Sequence, residues 1–178
     1  ETTEDGVAKK DIDVDGKKIT ITIIKDAKWS DGKPLVADDI IQPYLVIGNK
    51  DYSGVRYGED FQNIVGMDEY HEGKADSISG IKKVDDKTVE ISYKEMNPGM
   101  KQTSETVWTN AMPSHIFKDI PVKGMESSDA VRKNIVTFGP YKMEKINQGQ
   151  SVEYVPNEYY YGEKPKLSKI TMRVAPSN

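Results

Sequence analysis

The sequence of 178 residues contains no cysteine and only two histidines. The lack of cysteine excludes disulfides, thiolate zinc sites, iron–sulfur clusters and cysteine catalysis. His71 and His115 lie far apart in unrelated local contexts, whereas a zinc site needs three or four ligands. We therefore expect no metal and no cofactor, and we interpret the two histidines as a surface residue and a residue packed beside a helix start.

Long apolar runs and an excess of positive charge are also missing. No apolar run approaches the length of a transmembrane helix. Lysine and arginine number 25 against 29 aspartates and glutamates, so the formal net charge is −4. A mildly acidic surface of mixed sign has no counterion-release drive toward phosphates and no polybasic patch for membranes. We therefore expect no nucleic-acid partner.

The usual signatures of catalysis are absent from the sequence. It has no Gly-x-Ser-x-Gly elbow and no glycine-rich loop of the spacing that cradles phosphates. The paired carboxylates, Asp38 with Asp39 and Asp85 with Asp86, are adjacent and lack the facing geometry of general acid–base work. The sequence therefore predicts that the protein is not an enzyme.

One acidic stretch resembles half of a calcium loop. Residues 11–16 carry carboxylates at alternate positions and end in a glycine, as an EF-hand loop begins. The closing position is Thr22 instead of a bidentate glutamate, and Ile19 already starts an alternating strand pattern. We favour an acidic hairpin turn over a weak calcium site.

Alternating apolar residues predict several strands. Residues 18–25 read KITITIIK, with three isoleucines on one face and two threonines on the other. Residues 81–93 predict a hairpin that turns at 85–87. Three further strands are predicted at 141–146, 151–155 and 169–174.

Short helices are predicted between these strands. Residues 36–49 carry an apolar stripe, but Pro43 conflicts with an uninterrupted helix, which either starts near Gln42 or kinks there. Shorter helices are predicted at 61–72, after Pro113, and from Ser127 or Ser128 through Asn134. Together the elements predict an α+β fold of mixed, mainly antiparallel sheets with short helices.

Five segments stand out in order along the chain. They are KDAKWSDGKPLVADDI, IVGMDEYHEGKADSISGIKKVDDKTVEISY, AMPSHIFKD, NIVTFGPYKM and VEYVPNEYYYGEKPKLSKITMRVAP. Together they resemble the oligopeptide/dipeptide type of extracellular solute-binding protein (family 5) that serves ABC importers. In order, they resemble the family's strand, WSDG and kP-x-x-A-x-D element, its helix and hairpin, its P-x-H-i helix start, its G-T-G-P-Y strand entry and its N-x-x-Y-w-G-x-k-P segment.

The sequence departs from the family pattern at three places. Thr137 stands where the pattern has the first glycine of Gly-Thr-Gly, and Val36 stands where a threonine often caps the helix. Pro43 interrupts the usual helix. The cysteine-free, lysine-rich version is most similar to oligopeptide- or pheromone-binding lipoproteins of Gram-positive bacteria.

The resemblance implies part of the first lobe of a two-lobed, periplasmic-binding-protein-like fold. Residues 1–113 would be the extra domain of that lobe and residues 114–178 part of its main sheet domain, with the second lobe outside this chain. The chain starts at Glu1 without a methionine, signal peptide or lipidation cysteine, so we expect a processed or cut chain. In this interpretation Trp29 closes a strand and packs over the Ser30-Asp31-Gly32 turn as scaffold.

The resemblance also implies a function. The longer protein would capture extracellular oligopeptides, bury them between its lobes and deliver them to ABC transporter permease subunits. We expect a monomer at the extracellular face of the cell membrane, lipid-anchored through a part outside this chain. The second lobe would supply the acid that captures the peptide amine, so most of the binding free energy would lie outside these residues.

Three residues are the predicted ligand contacts of this part: Tyr57, Thr106 and Trp108, which lie in loops that could reach the cleft. Two alternatives stay open from the sequence. One is a family relative that binds nickel, haem or a sugar, and the other is a cell-surface interaction or adhesion module. A hydrolase would be a third class, for which no motif is present.

Overall fold

The computed structural model describes residues 6–101 and 110–175, which fall into two compact units. Unit 1 consists of Glu1–Lys25 and Val36–Lys123, and unit 2 consists of Asp26–Leu35 and Gly124–Asn178. Unit 2 is therefore assembled from two separate stretches of the sequence. The domain boundary between residues 113 and 114, which the resemblance implies, stays a prediction.

A four-stranded antiparallel sheet organises unit 1. Its strands are β1 (Ala8–Asp13), β2 (Lys18–Ile23), β3 (Ile81–Asp85) and β4 (Thr88–Ser92), in the order β1-β2-β4-β3. The alternation predicted for β2 is confirmed, because every second residue from Ile19 is buried. The predicted hairpin of β3 and β4 is also confirmed.

The acidic stretch before β2 forms the turn of a hairpin. Strand β1 pairs with β2, and the carboxylate of Asp13 accepts a hydrogen bond from the Gly16 N–H at 2.9 Å. The Lys17 N–H donates to the Val14 carbonyl at 3.2 Å, with Lys17 at a φ of 53°. The Asp13 carboxylate therefore stabilises the turn by accepting a backbone hydrogen bond, which agrees with the hairpin interpretation.

The long helix of unit 1 is α1 (Ala37–Ile47), which runs through Pro43. It begins at Ala37, so the predicted alternative of a start near Gln42 was wrong. Val36 stands at its N-cap, and its N–H donates to the Asp39 carboxylate at 3.0 Å. The valine has no side-chain oxygen to return the bond, and the Ala37 N–H donates instead to the Asp86 carbonyl at 2.8 Å.

Two short helices replace the single helix predicted at 61–72, which was wrong. They are α2 (Glu59–Gln62) and α3 (Met67–His71). Gly66 separates them at a φ of 79°, and the Val65 N–H donates to the Ser92 carbonyl at 3.0 Å. The interruption therefore lets the chain form a hydrogen bond with the last residue of β4 before α3 starts.

The core of unit 1 lies between α1, the two short helices and the sheet. Ile19 faces Ile91 across the β2–β4 pair, Ile21 faces Val89, and all four are buried. The remaining buried members of this core are Ala37, Tyr44, Ile47, Phe61, Ile64, Met67, Ile78 and Tyr93. Unit 1 ends with the short helix α4 (Ser114–Phe117), which starts after Pro113 as predicted.

Unit 2 contains the helix α5 (Asp129–Arg132) and a three-stranded antiparallel sheet. Its strands are β5 (Tyr141–Asn147), β6 (Ser151–Pro156) and β7 (Ile170–Arg173), in the order β5-β6-β7, and they confirm the three predicted strands. Ser128 stands at the N-cap of α5, but its hydroxyl donates to the Met125 carbonyl at 2.6 Å. Short 3₁₀ segments lie at Pro98–Lys101 in unit 1 and Met125–Ser127 in unit 2.

The sheet of unit 2 has one apolar face. The register pairs Ile146 with Val152 and Val152 with Met172, which places these residues on one side. Lys145, Glu153 and Thr171 lie on the opposite side by the same register. None of the residues of β5, β6 and β7 is fully buried: Ile146 and Val152 on this face are partly buried, and Met172 is exposed.

The WSDG segment belongs to unit 2. The Trp29 N–H donates to the Lys33 carbonyl and the Gly32 N–H donates to the Trp29 carbonyl, both at 2.8 Å. Gly32 has a φ of 85°, as the predicted turn requires. The Ser30 N–H donates to the Thr137 carbonyl at 2.6 Å, which ties this turn to the strand entry of β5.

Candidate functional site

Tyr57 lies in the loop between α1 and α2 and is half-buried. Its ring stacks on the His71 ring of α3, with centroids 4.0 Å apart and planes 13° from parallel. The His71 Nδ1 lies 2.9 Å from the Gly48 carbonyl, which can only accept, so this nitrogen donates. The bond holds His71 against the end of α1, and one face of Tyr57 is thereby occupied.

The helix under this stack is fixed to α1 by a second hydrogen bond. The Tyr70 hydroxyl donates to the Leu45 carbonyl at 2.7 Å. Burial raises the pKa of Tyr70 above its ordinary value, so the hydroxyl keeps the proton that it donates. The platform on which Tyr57 rests is therefore built from two polar side chains of α3 that bind backbone carbonyls at the end of α1.

The electrostatic surroundings keep the Tyr57 hydroxyl protonated. Burial raises the pKa of Tyr57, and the negative charges of Asp68 and Glu72 raise it further. At neutral pH this phenol is thus a hydrogen-bond donor as well as an acceptor. A hydroxyl of that kind can bind a peptide carbonyl or amide without any charge change.

The neighbours of Tyr57 in the loop differ in how they are held. Arg56 pairs with the Asp60 carboxylate at 2.8 Å, and its guanidinium lies 5.3 Å from the centre of the Phe61 ring. Val55, directly before it, is fully exposed. The loop is therefore anchored at Arg56 and Tyr57, and it presents its preceding residues to solvent.

Thr106 and Trp108, the other two predicted contacts, lie outside the described residues. The described chain resumes at Asn110 and leads to Pro113 and Ser114. The position of these two predicted contacts relative to Tyr57 therefore stays a prediction.

Sequence reasoning missed the buried carboxylate of Asp39, which is 0% exposed. One of its oxygens accepts from the Ser114 N–H at 2.8 Å and from the Ser114 hydroxyl at 2.7 Å. The other oxygen accepts from the Val36 N–H. Three donors thus compensate for the removal of this carboxylate from water, and the carboxylate joins α1 to the start of α4.

The aromatic residues of unit 2 form a packed cluster. The Trp29 ring is 2% exposed and meets the Phe138 ring edge-on, with centroids 5.3 Å apart. Phe138 in turn stacks on Tyr161 at 6.0 Å, and Tyr161 contacts Tyr160 at 4.8 Å. The aromatic ring next to Gly32 in the turn is that of Tyr159. These contacts make the cluster part of the packing of unit 2.

Within residues 6–101 and 110–175, no three His, Cys, Asp or Glu side chains come together as they would to hold a metal ion. None of the helices in this part of the chain has both the length and the apolar composition needed to cross a bilayer.

The family model for bacterial extracellular solute-binding proteins, family 5 Middle, matches residues 2–178. The chain belongs to this family. Its model covers nearly all of the sequence, so both units are part of the family's fold. The resemblance that the five motifs carry is thereby confirmed.

Two of the relatives are oligopeptide-binding proteins. The oligopeptide-binding protein OppA of Lactococcus lactis subsp. lactis is 40% identical over 173 residues, which are 95% of this chain and 29% of the relative. AppA of Bacillus subtilis is 29% identical over 163 residues, 90% of this chain and 27% of that protein. The chain therefore spans less than a third of the length of these relatives.

Solved structures of the same proteins have the same fold. Lactococcal OppA, complexed with an endogenous peptide in the closed conformation, matches with a TM-score of 0.88 over 96% of this chain and 32% of that chain. AppA from Bacillus subtilis in complex with a nonapeptide matches with a TM-score of 0.75 at 25% identity, over 96% of this chain and 31% of that one. The predicted α+β class and its periplasmic-binding-protein-like fold are confirmed.

Proposed function

We propose that these 178 residues form part of an extracellular protein that captures oligopeptides for an ABC importer. The observation that carries the proposal is the 40% identity to lactococcal OppA over 95% of this chain, with a TM-score of 0.88 to its peptide-bound structure. Similarity to a second peptide complex, that of AppA, supports the same ligand class. These relatives favour a peptide over nickel, haem or a sugar, and over an adhesion module.

The role proposed for this chain is binding without covalent chemistry. Unit 1 offers a polar, uncharged phenol at Tyr57 on a fixed platform, and such a group can bind a peptide backbone whatever its side chains are. Backbone hydrogen bonds with loosely fitted side-chain pockets would let one site accept many sequences. The longer protein would close around the peptide and exclude water.

Tyr57, Thr106 and Trp108 are the proposed peptide contacts of this chain. Their support is their sequence position in loops, together with the stack that fixes the Tyr57 ring on His71. We further propose that the longer protein is a monomer, is lipid-anchored at the extracellular face of the membrane, and docks on the permease subunits of the importer. The extracellular solute-binding family to which the chain belongs supports that location.

Peptide titration of two proteins tests the proposal: a protein of the relatives' full length and the 178-residue chain alone. Short peptides of varied sequence are titrated one at a time by isothermal titration calorimetry. For the long protein, peptides of this set should give dissociation constants of about 1 μM or tighter. The 178-residue chain should bind none measurably, because it contributes only one side of the site. Micromolar binding by the short chain, or no binding by the long protein, would contradict the proposal.

Tyr57→Phe in the long protein tests the site within that experiment. The variant keeps the stack on His71 and loses only the hydroxyl, so a direct hydrogen bond to the peptide should cost about 0.5–1.5 kcal/mol of binding free energy. Tyr159→Phe serves as the matched control, because it removes the same hydroxyl from a ring of unit 2 that is 39% exposed. Equal affinities for both variants would remove Tyr57 from the proposed contacts.

A further inference from the structure

Unit 2 has a cavity of about 310 Å³ beside the end of β5. Its wall consists of Arg132 at the end of α5, Lys133 directly after it, Ile146 near the end of β5 and Gln148 in the turn that follows. All four residues belong to unit 2, whereas Tyr57 belongs to unit 1. The cavity therefore shares no residue with the platform that holds Tyr57.

Arg132 is held in place by a backbone acceptor. Its Nε–H donates to the Glu126 carbonyl at 2.7 Å, which restricts the plane of the guanidinium. That bond uses the Nε–H only, and the terminal nitrogens still carry donors in the fork geometry that matches a carboxylate. Within the described part of the chain, no carboxylate forms an ion pair with Arg132. The guanidinium is thus oriented in advance and able to pair with an anion.

Lys133 adds a second positive charge to the wall. Its ammonium lies 3.3 Å from the Asp129 carboxylate, and the two side chains are 63% and 66% exposed. An ion pair this exposed is weak, so the ammonium can also approach an anion in the cavity. Since Arg132 has no such acidic partner among the described residues, the charges along this wall favour a negatively charged ligand.

Ile146 and Gln148 give the cavity an apolar and a polar side. Ile146 is partly buried and offers aliphatic surface. Gln148 lies in a turn that the Gln150 N–H closes by donating to the Asn147 carbonyl at 3.0 Å. The Asn147 amide also donates to the Ser151 hydroxyl at 3.0 Å, so the turn is fixed at both ends. The Gln148 amide can donate and accept hydrogen bonds.

We propose that this cavity binds a small organic acid, in which a carboxylate is attached to a short aliphatic body. The carboxylate pairs with Arg132 and Lys133, and the aliphatic body lies on Ile146. The volume is at the lower end of the range of about 300–1,000 Å³ that small-molecule pockets occupy, which favours such a ligand over an oligopeptide. Inorganic phosphate would satisfy the positive charges but would make no use of Ile146. The site is additional to the proposed peptide site and does not depend on it.

Ligand-observed NMR titration of a protein of the relatives' length tests this site. The probes are pentanoate, acetate and inorganic phosphate, each at constant ionic strength. Pentanoate should bind saturably with a dissociation constant of about 1 mM or tighter. Acetate and phosphate should bind at least about fivefold more weakly, because neither buries an aliphatic body on Ile146. Tighter binding of phosphate, or equal binding of acetate, would overturn the assignment to an organic acid.

Arg132→Gln locates the bound pentanoate. It removes the charge and the fork geometry, so the affinity should fall about tenfold or more. Arg132→Lys keeps the charge without the fork and should still weaken binding about threefold. Arg173→Gln is the matched control, because it removes the same charge from an exposed position of β7 that does not line the cavity. This control should bind within about twofold of the unaltered protein. Equal losses in Arg132→Gln and Arg173→Gln, or an unchanged affinity in Arg132→Gln, would overturn the inference.

A further variant keeps the test decisive if Arg132→Gln does not fold. Lys133→Gln leaves the bond between Arg132 and the Glu126 carbonyl in place and should weaken pentanoate binding about threefold or more. An unchanged affinity in Lys133→Gln would then overturn the inference. So would the absence of pentanoate binding by the unaltered long protein. Failure of the proposed function would show separately, as absent peptide binding in the calorimetric titration.

Discussion

At the scale of single residues, Tyr93 shows how burial of a polar ring links folding to pH. The residue follows β4, and its ring is 4% exposed within the core of unit 1. Burial raises the pKa of its hydroxyl well above the ordinary value, and the nearby Tyr44 and Asp60 raise it further. The folded state therefore binds this proton more tightly than the unfolded chain does.

Alkaline pH should consequently destabilise unit 1. The stability that Tyr93 contributes is fully present below the unfolded pKa of about 10 and is lost as the pH rises above it, because only the unfolded chain then releases the proton. Each such group lowers the free energy of unfolding by up to about 1.4 kcal/mol per pH unit in that range. Denaturant titrations between pH 8 and 11 should show the fall, and Tyr93→Phe should make it shallower. An equally steep fall in the free energy of unfolding of the unaltered protein and of Tyr93→Phe above pH 10 would contradict this.

Asp39 also shows what a sequence does not reveal at this scale. A carboxylate next to Asp38 at the start of a helix is expected to be solvated. Its partner Ser114 is 75 positions away, so only the tertiary structure brings the two together. The loop position of Tyr57 is recognisable from the sequence, whereas its stack on His71 is not. Its role as a ligand contact stays a prediction.

At the scale of elements, the sheet of unit 1 depends on the buried face that β2 and β4 share. Ile91 lies opposite Ile19 and is 0% exposed. By contrast, Lys83 links the Asp38 and Asp86 carboxylates near the start of α1, and all three side chains are at least 38% exposed. Exposed ion pairs of this kind contribute about 0–1 kcal/mol, so the apolar face determines the stability of the sheet.

Ile91→Ala should therefore lower the free energy of unfolding by about 2–5 kcal/mol, because it leaves a cavity in a closed core. Ile24→Ala makes the same chemical change just after β2, where the side chain is 45% exposed, and should cost less than about 1 kcal/mol. Urea denaturation followed by circular dichroism measures both. A smaller loss for Ile91→Ala than for Ile24→Ala would show that the core does not lie where the structure has it.

The strands were predictable from the sequence and the helix boundaries were less so. Residues 18–25 alternate strictly, and period-two alternation with β-branched residues has few other interpretations. Residues 61–72 contain apolar residues at helical spacing, but Gly66 adopts a left-handed conformation and the chain there binds Ser92. The break in the helix depends on Ser92 at the end of β4, which lies 27 residues after Val65, and no local pattern predicts it.

At the scale of the whole molecule, the exposed apolar side chains at β7 of unit 2 bear on how the 178-residue chain should behave in solution. Met172 in β7 is 61% exposed, and Val174 just after the strand is 66% exposed. Exposed apolar side chains along the last strand of a sheet promote association. We expect the short chain to bind a hydrophobic dye and to self-associate as its concentration rises.

Met172→Lys should reduce both dye fluorescence and self-association, because it places a charge at the exposed end of the apolar side, on β7. Thr171→Lys is the matched control, since it adds the same charge one residue earlier on the polar side of the same strand. Sedimentation velocity over a concentration series compares the two. Equal reductions would indicate that net charge, and not the apolar face, controls association.

The two-part make-up of unit 2 has a consequence for the protein during its synthesis. Trp29 is translated more than 100 residues before its neighbour Phe138. Until Phe138 is translated, the Trp29 indole lacks this packing partner and is exposed to chaperones that bind aromatic rings. Translational pausing before residue 138 should therefore lengthen the interval in which the nascent chain is open to proteases at the WSDG turn.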